Sequence, residues 1–458
     1  MSITYPIIRL LIGTETLEFA GDKVMNATLV TEINPLSIEL SISTLDFTIH
    51  NTDSSFSMFG GTYYQLLSER VPVMAYESVD GAEIFLGQFY LSEWKNVSET
   101  EFQFRAVDVI GVLDTIDYDG NFYSTAQTLE VIIADLLEPV DVLYTIDDSL
   151  KLIELKGWNP PGSYREALQQ VCFAAGACVV TSGYDRLQIV PIKIPDISYD
   201  VFIKDSEKLM SRSMDLQPLI TNIELVSHTY AEGTSLETIF DGYLAAGSHK
   251  IVFEKPHFNI TVSGPGYTAF TLGTEGGDSI TTEGEDYIEL GGEYIFGANC
   301  LFLDIDTAGS VVITGYPWVD SQKSYLFAET GVSEYTKKRT LKIDSATLIS
   351  ADIAQDALDR VVAYYRQRYT QDLTTTWSVA KLGDNIKTSA FISKMITAIV
   401  QKLEISLTGG YLSKLYVRGI EMPYIPPISS PIRTARAGVS FSGVDLTRNN
   451  GWREYDHT

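Results

Sequence analysis

At 458 residues the chain exceeds a single ordinary core, so two to four domains are expected. Its 45% apolar and 20% charged residues place it in the globular class and exclude a disordered chain. A net charge of −27, from 60 acidic against 33 basic residues, argues against electrostatic capture of nucleic acid or of an anionic membrane.

Acidity of this size has two readings. It keeps a large assembly protein soluble, or it makes a wall past which DNA moves without sticking. The 26 Tyr and 20 Phe favour half-buried pleated surfaces, so strands should dominate. Cys172, Cys178 and Cys300 are odd in number and irregular in spacing, which argues against a disulfide framework or a zinc site. Cys172 and Cys178 read as small core residues. The start Met1-Ser2-Ile3-Thr4-Tyr5-Pro6 has no secretory pattern, and no window nears 18 uninterrupted apolar residues. No membrane insertion is expected, and the chain is expected to be made in a reducing cytoplasm. The sequons at Asn26, Asn96 and Asn259 are then chance matches.

Residues 1–120 read as a run of strands. Leu36 to Ile49 alternates through Ile38, Leu40, Ile42, Leu45 and Phe47, with a break in register near Thr44. Val71 to Tyr76 and Ile84 to Trp94 flank Asp80-Gly81, a pair suited to the positive φ values of a tight hairpin turn. Glu101 to Ala106 alternates polar and apolar, which predicts an antiparallel sandwich or barrel.

Over 121–200 the period changes. Leu129, Ile132, Ile133, Leu136 and Leu137 make one apolar helical stripe, with Ser124 and Gln127 as a capping box and Pro139 as the stop. Ser163 and Glu166 predict a second capping box, with Ala167, Leu168, Val171 and Cys172 as the buried face and Gly176 as the stop. Strands at Ala177–Thr181 and Leu187–Ile192, joined at Ser182-Gly183, complete a small α+β domain.

Strands return over 201–425, with an acidic, glycine-rich insertion at about 240–335. Asn222 to Thr229 is an early strand, Tyr287, Ile288 and Leu290 stand among the glycines and acids of 273–297, and Val311 to Tyr316 reads as a strand followed by a turn. A helix of about 350–369 opens at Ser350. Ile353, Ala357, Val361, Tyr364 and Tyr365 lie on one side, Asp352 and Asp356 stand at its positive end, and Arg366 and Arg368 at its negative end. Late strands turn at Gly409-Gly410. Residues 426–458 form an extended tail with Pro426, Pro427 and Pro431, then Arg433, Arg436, Arg448 and Arg453.

No catalytic, cofactor-binding or metal-binding set is selected by the sequence. His50, His228, His249, His257 and His457 share no ligand spacing, and Pro256 separates two of them. Phosphate-loop, nucleophile-elbow and dinucleotide motifs are missing, and Gly264-Pro265-Gly266 reads as a turn. Asp117-Tyr118-Asp119-Gly120-Asn121 begins like a calcium loop but lacks its later bidentate Glu, so a turn is expected. Asp304 and Asp306 share one side of a strand, as solvent-facing pairs do, and no carboxylate pair among the 60 acids is marked for glycoside hydrolysis.

Three segments, in order, resemble phage baseplate hub and tail-tip proteins. Leu45-Asp46-Phe47-Thr48-Ile49-His50-Asn51-Thr52-Asp53, with Gly87 to Leu91 and Phe104 to Leu113, resembles their opening barrel. Ser163 to Val171, Ala174 to Ala177 and Asp185 to Pro191 are similar to the small domain between their two barrels. Val311 to Tyr316, the Ser350 helix and the late strands resemble the second barrel.

The resemblance implies a β-rich α+β architecture: two antiparallel, tail-tube-like β-barrel domains at 1–120 and 201–425 flanking the small α+β domain at 121–200. It implies a homotrimeric ring joining a six-fold tail tube or distal tail protein to a three-fold spike or fibre, with a tape-measure protein nearby. DNA would pass through the lumen without specific binding, and the chain would reside at the virion tail tip. The chain departs from longer family members, which continue into fibre or lytic domains. A receptor- or carbohydrate-binding tail protein, with Trp158 or Trp318 in a sugar cleft rather than in a core, is the alternative. A cell-wall hydrolase is a further one.

Overall fold

Alternating side chains in the first hundred residues fold into antiparallel strands that bury every second position. The computed structural model describes residues 4–422 apart from 196–197, 210–212, 265–266, 273–298, 306, 377–379, 391–393 and 409–411. Residues Met1–Glu421 make one compact unit, and Met422–Thr458 a second, of which only Met422 is described. The 273–297 stretch, Pro265-Gly266, Asp306, Gly409-Gly410, His457 and the 426–458 tail therefore lie outside the described residues.

Strands Val24–Glu32, Thr44–His50, Glu101–Val107, Ala82–Asn96, Pro72–Val79, Thr4–Ile12 and Glu15–Ala20 pair in that spatial order. Asp80 and Gly81 have φ of 50° and 87°, so the hairpin turns as its sequence requires. Phe47 stacks on Phe104 at 4.8 Å, and Phe56 meets Phe104 edge-on at 5.4 Å. Each such ring, once buried, contributes roughly 1.5–3 kcal/mol.

The sheet does not end with this module. Val24–Glu32 also pairs antiparallel with Met395–Ser406, with Leu29 opposite Ile405 and Thr31 opposite Leu403. Beyond it lie Leu412–Glu421, Tyr369–Thr376 and Ser213–Leu216, while Asn385–Ser389 branches from Met395–Ser406 and pairs Val201–Ile203. Thirteen described strands thus share one sheet, its main path ending at Glu15–Ala20 and Ser213–Leu216 and its branch at Val201–Ile203. One apolar core runs beneath both halves, joining Leu29, Phe47 and Phe104 to Val400, Leu403 and Leu415.

The expected strand over Leu36–Ile49 is corrected: only Thr44–His50 is a strand. Before it, Arg165 donates to the Leu40 carbonyl and Gln169 to the Ile38 carbonyl. Leu36 and Leu40 enter a second core, whereas Leu45, Phe47 and Ile49 enter the first. The break near Thr44 marks a change of core.

Four α-helices occur among the described residues: α1 (Val109–Leu113), α2 (Leu129–Leu137), α3 (Tyr164–Ala175) and α4 (Ala354–Arg366). All five stripe residues of α2 are buried. Its expected Ser124/Gln127 capping box is not formed, because both residues lie in the strand Asn121–Thr128. The first-turn amides of Leu129 and Glu130 instead donate to the Ile153 and Lys151 carbonyls at 2.7 and 3.3 Å. In α3 the box forms as read: Ser163 N–H donates to Glu166 Oε2 at 2.9 Å, and Glu166 N–H to Ser163 Oγ at 3.2 Å. Gly176 ends α3 at φ 69°. From α4, Arg360 donates to the Phe173 and Ala174 carbonyls at 3.2 and 3.0 Å, closing the end of α3. Helix α4 starts at Ala354 rather than Ser350, since Ser350 to Ile353 form a turn, and Arg368 lies past its end.

Strands Ala177–Val180, Leu187–Pro191 and Tyr144–Ile146 complete the α2/α3 layer. A 20-residue strand, Gly309–Ala328, has two sets of partners. Its first half lies between Glu237–Leu244 and His257–Gly264, above a third core of Val262, Leu303 and Ile313. Its second half pairs Asn222–Glu232, whose Ile223 and Leu225 face the α3/α4 core. The strand expected over Val311 to Tyr316 forms, but the turn expected after it is corrected: the strand runs on to Ala328. A Cβ at Gly315 would stand 3.0 Å from Ile239 Cδ1, so this glycine serves close approach.

Gly176 must hold a left-handed φ, and a Cβ there would lie 2.9 Å from the Arg360 guanidinium carbon. Gly176→Ala is expected to cost about 1–2 kcal/mol, and Ser163→Ala about 1 kcal/mol, in urea unfolding at constant m. A Gly176→Ala variant as stable as the parent would show that the α3–Arg360 closure contributes nothing.

Candidate functional site

The long strand leaves one core for another near Trp318, and a cleft of about 490 Å³ opens there. Glu154–Asn159 contributes Trp158, Asn222–Glu232 contributes His228 and Tyr230, and Gly309–Ala328 contributes Trp318 and Asp320. Glu237, Lys255, Asp344 and Thr347 complete its edges. Gly157, at φ 126°, allows this convergence: a Cβ there would stand 2.8 Å from the Thr347 carbonyl oxygen and 3.5 Å from the Tyr230 ring. Thr347 Oγ1 then donates to the Trp158 carbonyl at 2.6 Å.

The rings are held from behind. Phe122 lies 4.6 Å from Trp318 and meets Tyr230 edge-on at 5.4 Å. His228 Nδ1 is 2.8 Å from Asp320 Oδ2, its Nε2 is 3.2 Å from the Asp344 carbonyl, and Gln322 donates to Asp320 at 2.9 Å. Lys255 pairs with Glu237 at 2.6 Å, and that hydrogen bond holds the Glu237 carboxyl below the usual carboxylate range. Burial, aided by the Asp320 charge, pushes the Tyr230 phenol up, so it remains a neutral donor. Two buried groups at this cleft, Trp158 Nε1 and Tyr230 Oη, meet no hydrogen-bond partner among the described residues. Such groups normally find water or a ligand.

A larger groove of about 820 Å³ lies among Leu29, Phe85, Val190, Leu382 and Ile405, where the two halves of the long sheet meet the α2/α3 layer. Its walls are mainly aliphatic.

The structure disperses most residues weighed for chemistry. His50 is the exposed last residue of its strand, His249 Nε2 lies 2.8 Å from the Ala245 carbonyl, and His257 Nδ1 lies 2.9 Å from the Lys255 carbonyl. Asp117 to Asn121 forms a strand end and turn with Gly120 at φ 80°, and Asp119 pairs with Lys250. The three cysteines are buried, and burial pushes the Cys178 thiol up to about 12. Among the described residues no group of three or more His, Cys, Asp or Glu side chains is placed to hold a metal ion. Trp158 and Trp318 do come together, both half-buried. Tyr230, Asp320 and Glu237 were not singled out by sequence. Two spacings carried the signal: His228/Tyr230 and Trp318/Asp320 each share a strand face at period two.

No family model matches the sequence, and no curated protein matches it. Solved structures do match. A tail protein from Neisseria meningitidis MC58 aligns over 90% of this chain and 96% of its own, at 8% identity and a TM-score of 0.50. A prophage tail protein from Listeria monocytogenes aligns over 92% and 95% at 9% identity, with a TM-score of 0.47. A 43 kDa prophage MuSo2 tail protein from Shewanella oneidensis aligns over 90% and 98% at 10% identity, also with a TM-score of 0.47. Over that aligned 90% the chain has the fold of the Neisseria tail protein, with almost none of its sequence.

Burial pushes the His257 imidazole below its ordinary 6.5, against the opposing pull of the Lys255 carbonyl and Glu237. The unfolded chain therefore takes up this proton more readily than the folded one. Its contribution to stability is full above about pH 6.5 and is lost as pH falls below that value toward the folded pKa. Thermal melting between pH 7.5 and 5.5 should show the decline, and His257→Gln should flatten it. An equal slope in both proteins would remove His257 from this role.

Proposed function

We propose that the chain is a structural baseplate hub or tail-tip protein, acting by shape and not by catalysis. In this reading 1–120 and 201–425 are two tail-tube-like barrel modules, 121–200 is the α+β domain between them, and about 240–335 is an insertion on the second. Three copies close a ring of six module positions, joining a six-fold tube or distal tail protein to a three-fold spike or fibre. DNA passes through the lumen, the ring sits at the virion tail tip, and assembly takes place in the host cytoplasm.

One observation carries the reading. The strands of the two modules are already neighbours in a single sheet through Val24–Glu32 and Met395–Ser406, and among the described residues that sheet has edge strands at Glu15–Ala20, at Ser213–Leu216 and, on its branch, at Val201–Ile203. Further copies arranged around an axis would pair or cover such edges. The likeness in fold to a tail protein, over 90% of the chain, supports the same conclusion. The exposed charge at the first edge, Glu15 and Glu18, blunts indiscriminate pairing while leaving a specific partner free to match it. With 60 acids against 33 bases, a lumen of this protein would hold DNA weakly, over a screening length of about 8 Å.

Light scattering with negative-stain imaging should show a trimer with a central hole, alone or with its neighbouring tail proteins. Leu216→Lys, at an exposed position on the second edge, should shift the trimer to monomer while leaving the melting temperature within about 2 °C. A chain that stays monomeric with its neighbours present would sink the ring.

A further inference from the structure

We infer that the first module carries an apolar knob, Met58-Phe59, whose socket is the aliphatic groove of a second copy of this chain. The inference names a contact that would join copies in the proposed ring, and in that respect it rests on that reading. Phe59 is 91% exposed at the tip of the 51–71 loop, with Met58 beside it, and Val97 is exposed next to Asn96. The loop is not free to fold these side chains inward. Phe56 is buried against Phe19, Phe102 and Phe104. The Ser57 and Gly61 amides donate to the Ser54 and Ser57 carbonyls at 3.0 and 2.9 Å, and the Met58 amide donates to Asn96 Oδ1 at 3.2 Å. A Cβ at Gly61 would stand 2.5 Å from the Ser57 nitrogen, so the turn closes without slack. An apolar side chain held outward in one geometry has the form of an interface anchor, since little ordering remains to be done on binding.

Phe59 cannot reach the groove of its own molecule. Leu86, near the start of Ala82–Asn96, lines the groove, whereas the knob bonds to Asn96 at the end of that strand. At about 3.3 Å per residue the two stand roughly 30 Å apart. Val24–Glu32 repeats the arrangement, with Met25 exposed at the knob end and Leu29 lining the groove. Two large side chains at the groove, Ile84 and Tyr184, are each 48% exposed, so the socket too presents apolar surface to solvent. Charge agrees. At the groove Lys193 pairs with Asp200 at 3.5 Å, Asp147 takes the Ser149 hydroxyl and Asp384 takes the Lys381 amide. That leaves the exposed Lys381 ammonium without a partner among the described residues, as is Glu99 on the hairpin beside the knob. Two different patches at opposite ends of one chain make a head-to-tail contact, the kind that closes a ring when its rotation divides a full turn.

Sedimentation velocity of the whole chain over a concentration series reads the contact. Phe59→Ser and Ile84→Arg, both at exposed positions, should each raise the concentration of half-association at least tenfold and leave the melting temperature unchanged. An equal mixture of the two variants should contain a 1:1 dimer that neither forms alone, because one copy still offers a knob and the other a socket.

Trimers that both substitutions leave intact would overturn the knob and leave the ring, joined by its strand edges, standing. Loss of association in both variants with no dimer in their mixture would also overturn it, since the contact would then not be head-to-tail. A parent chain that stays monomeric at every concentration overturns it too, and loss of a neighbouring tail protein by Phe59→Ser would then assign the knob to that partner. Open-ended chains of copies, dissolved by Phe59→Ser, would do the reverse: the contact would stand and the three-fold ring would fall.

Discussion

The antiparallel pairing of Val24–Glu32 with Met395–Ser406 is the contact on which the rest of the molecule depends. It sets the third strand of the described fold beside the second-to-last, so the chain that leaves this sheet after Glu101–Val107 must return to it. What holds the junction is burial. Leu29, Leu403 and Ile405 are each at most 3% exposed, and Ile396 to Val400 are buried on both faces of their strand. Each such aliphatic side chain contributes roughly 1.5–3 kcal/mol, whereas the cross-strand Lys402–Glu32 pair, at 3.0 Å and partly exposed, contributes about 0–1 kcal/mol. Tight backbone packing continues outward: at Gly419, opposite Ala398, any Cβ would collide with the Thr397 carbonyl oxygen.

A junction of such sequence separation carries a large closure entropy, so it rewards folding only after the intervening pieces have shortened the chain. The α2/α3 layer is suited to that. Its capping box spans three residues, its strands follow one another closely, and its core gathers Leu168, Val171 and Leu187 from a short stretch. The same locality made it readable. Ser163, Glu166 and Gly176 each act within one helical turn of where they stand, and the structure places each in its expected role.

Where the reading failed, the deciding partner was distant. Leu36 to Ile49 has the period of one strand, but its two halves face different cores, and no local pattern records that α3 takes the Ile38 and Leu40 carbonyls. Ser124 and Gln127 have capping spacing, yet the Ile153 and Lys151 carbonyls reach α2 first. A turn was expected after Tyr316, but Trp318 and Val319 pair instead with Glu232 and Ala231 of a distant strand. The cleft shared this fate. Its tryptophans stood out as rare residues, but their meeting depends on three strands and on Gly157.

The cleft's position follows from the strand that carries it. Along Gly309–Ala328, positions 311 to 318 alternate between buried and half-buried above the third core, and 319 to 324 are exposed before the strand engages the α3/α4 core at Tyr325 and Phe327. A strand serving two cores has a stretch between them that neither can cover, and the walls on either side belong to separately packed layers. Rings at that joint are supported from behind by Phe122 and open in front. The fold thus produces a recessed aromatic surface as a by-product of one strand serving two cores.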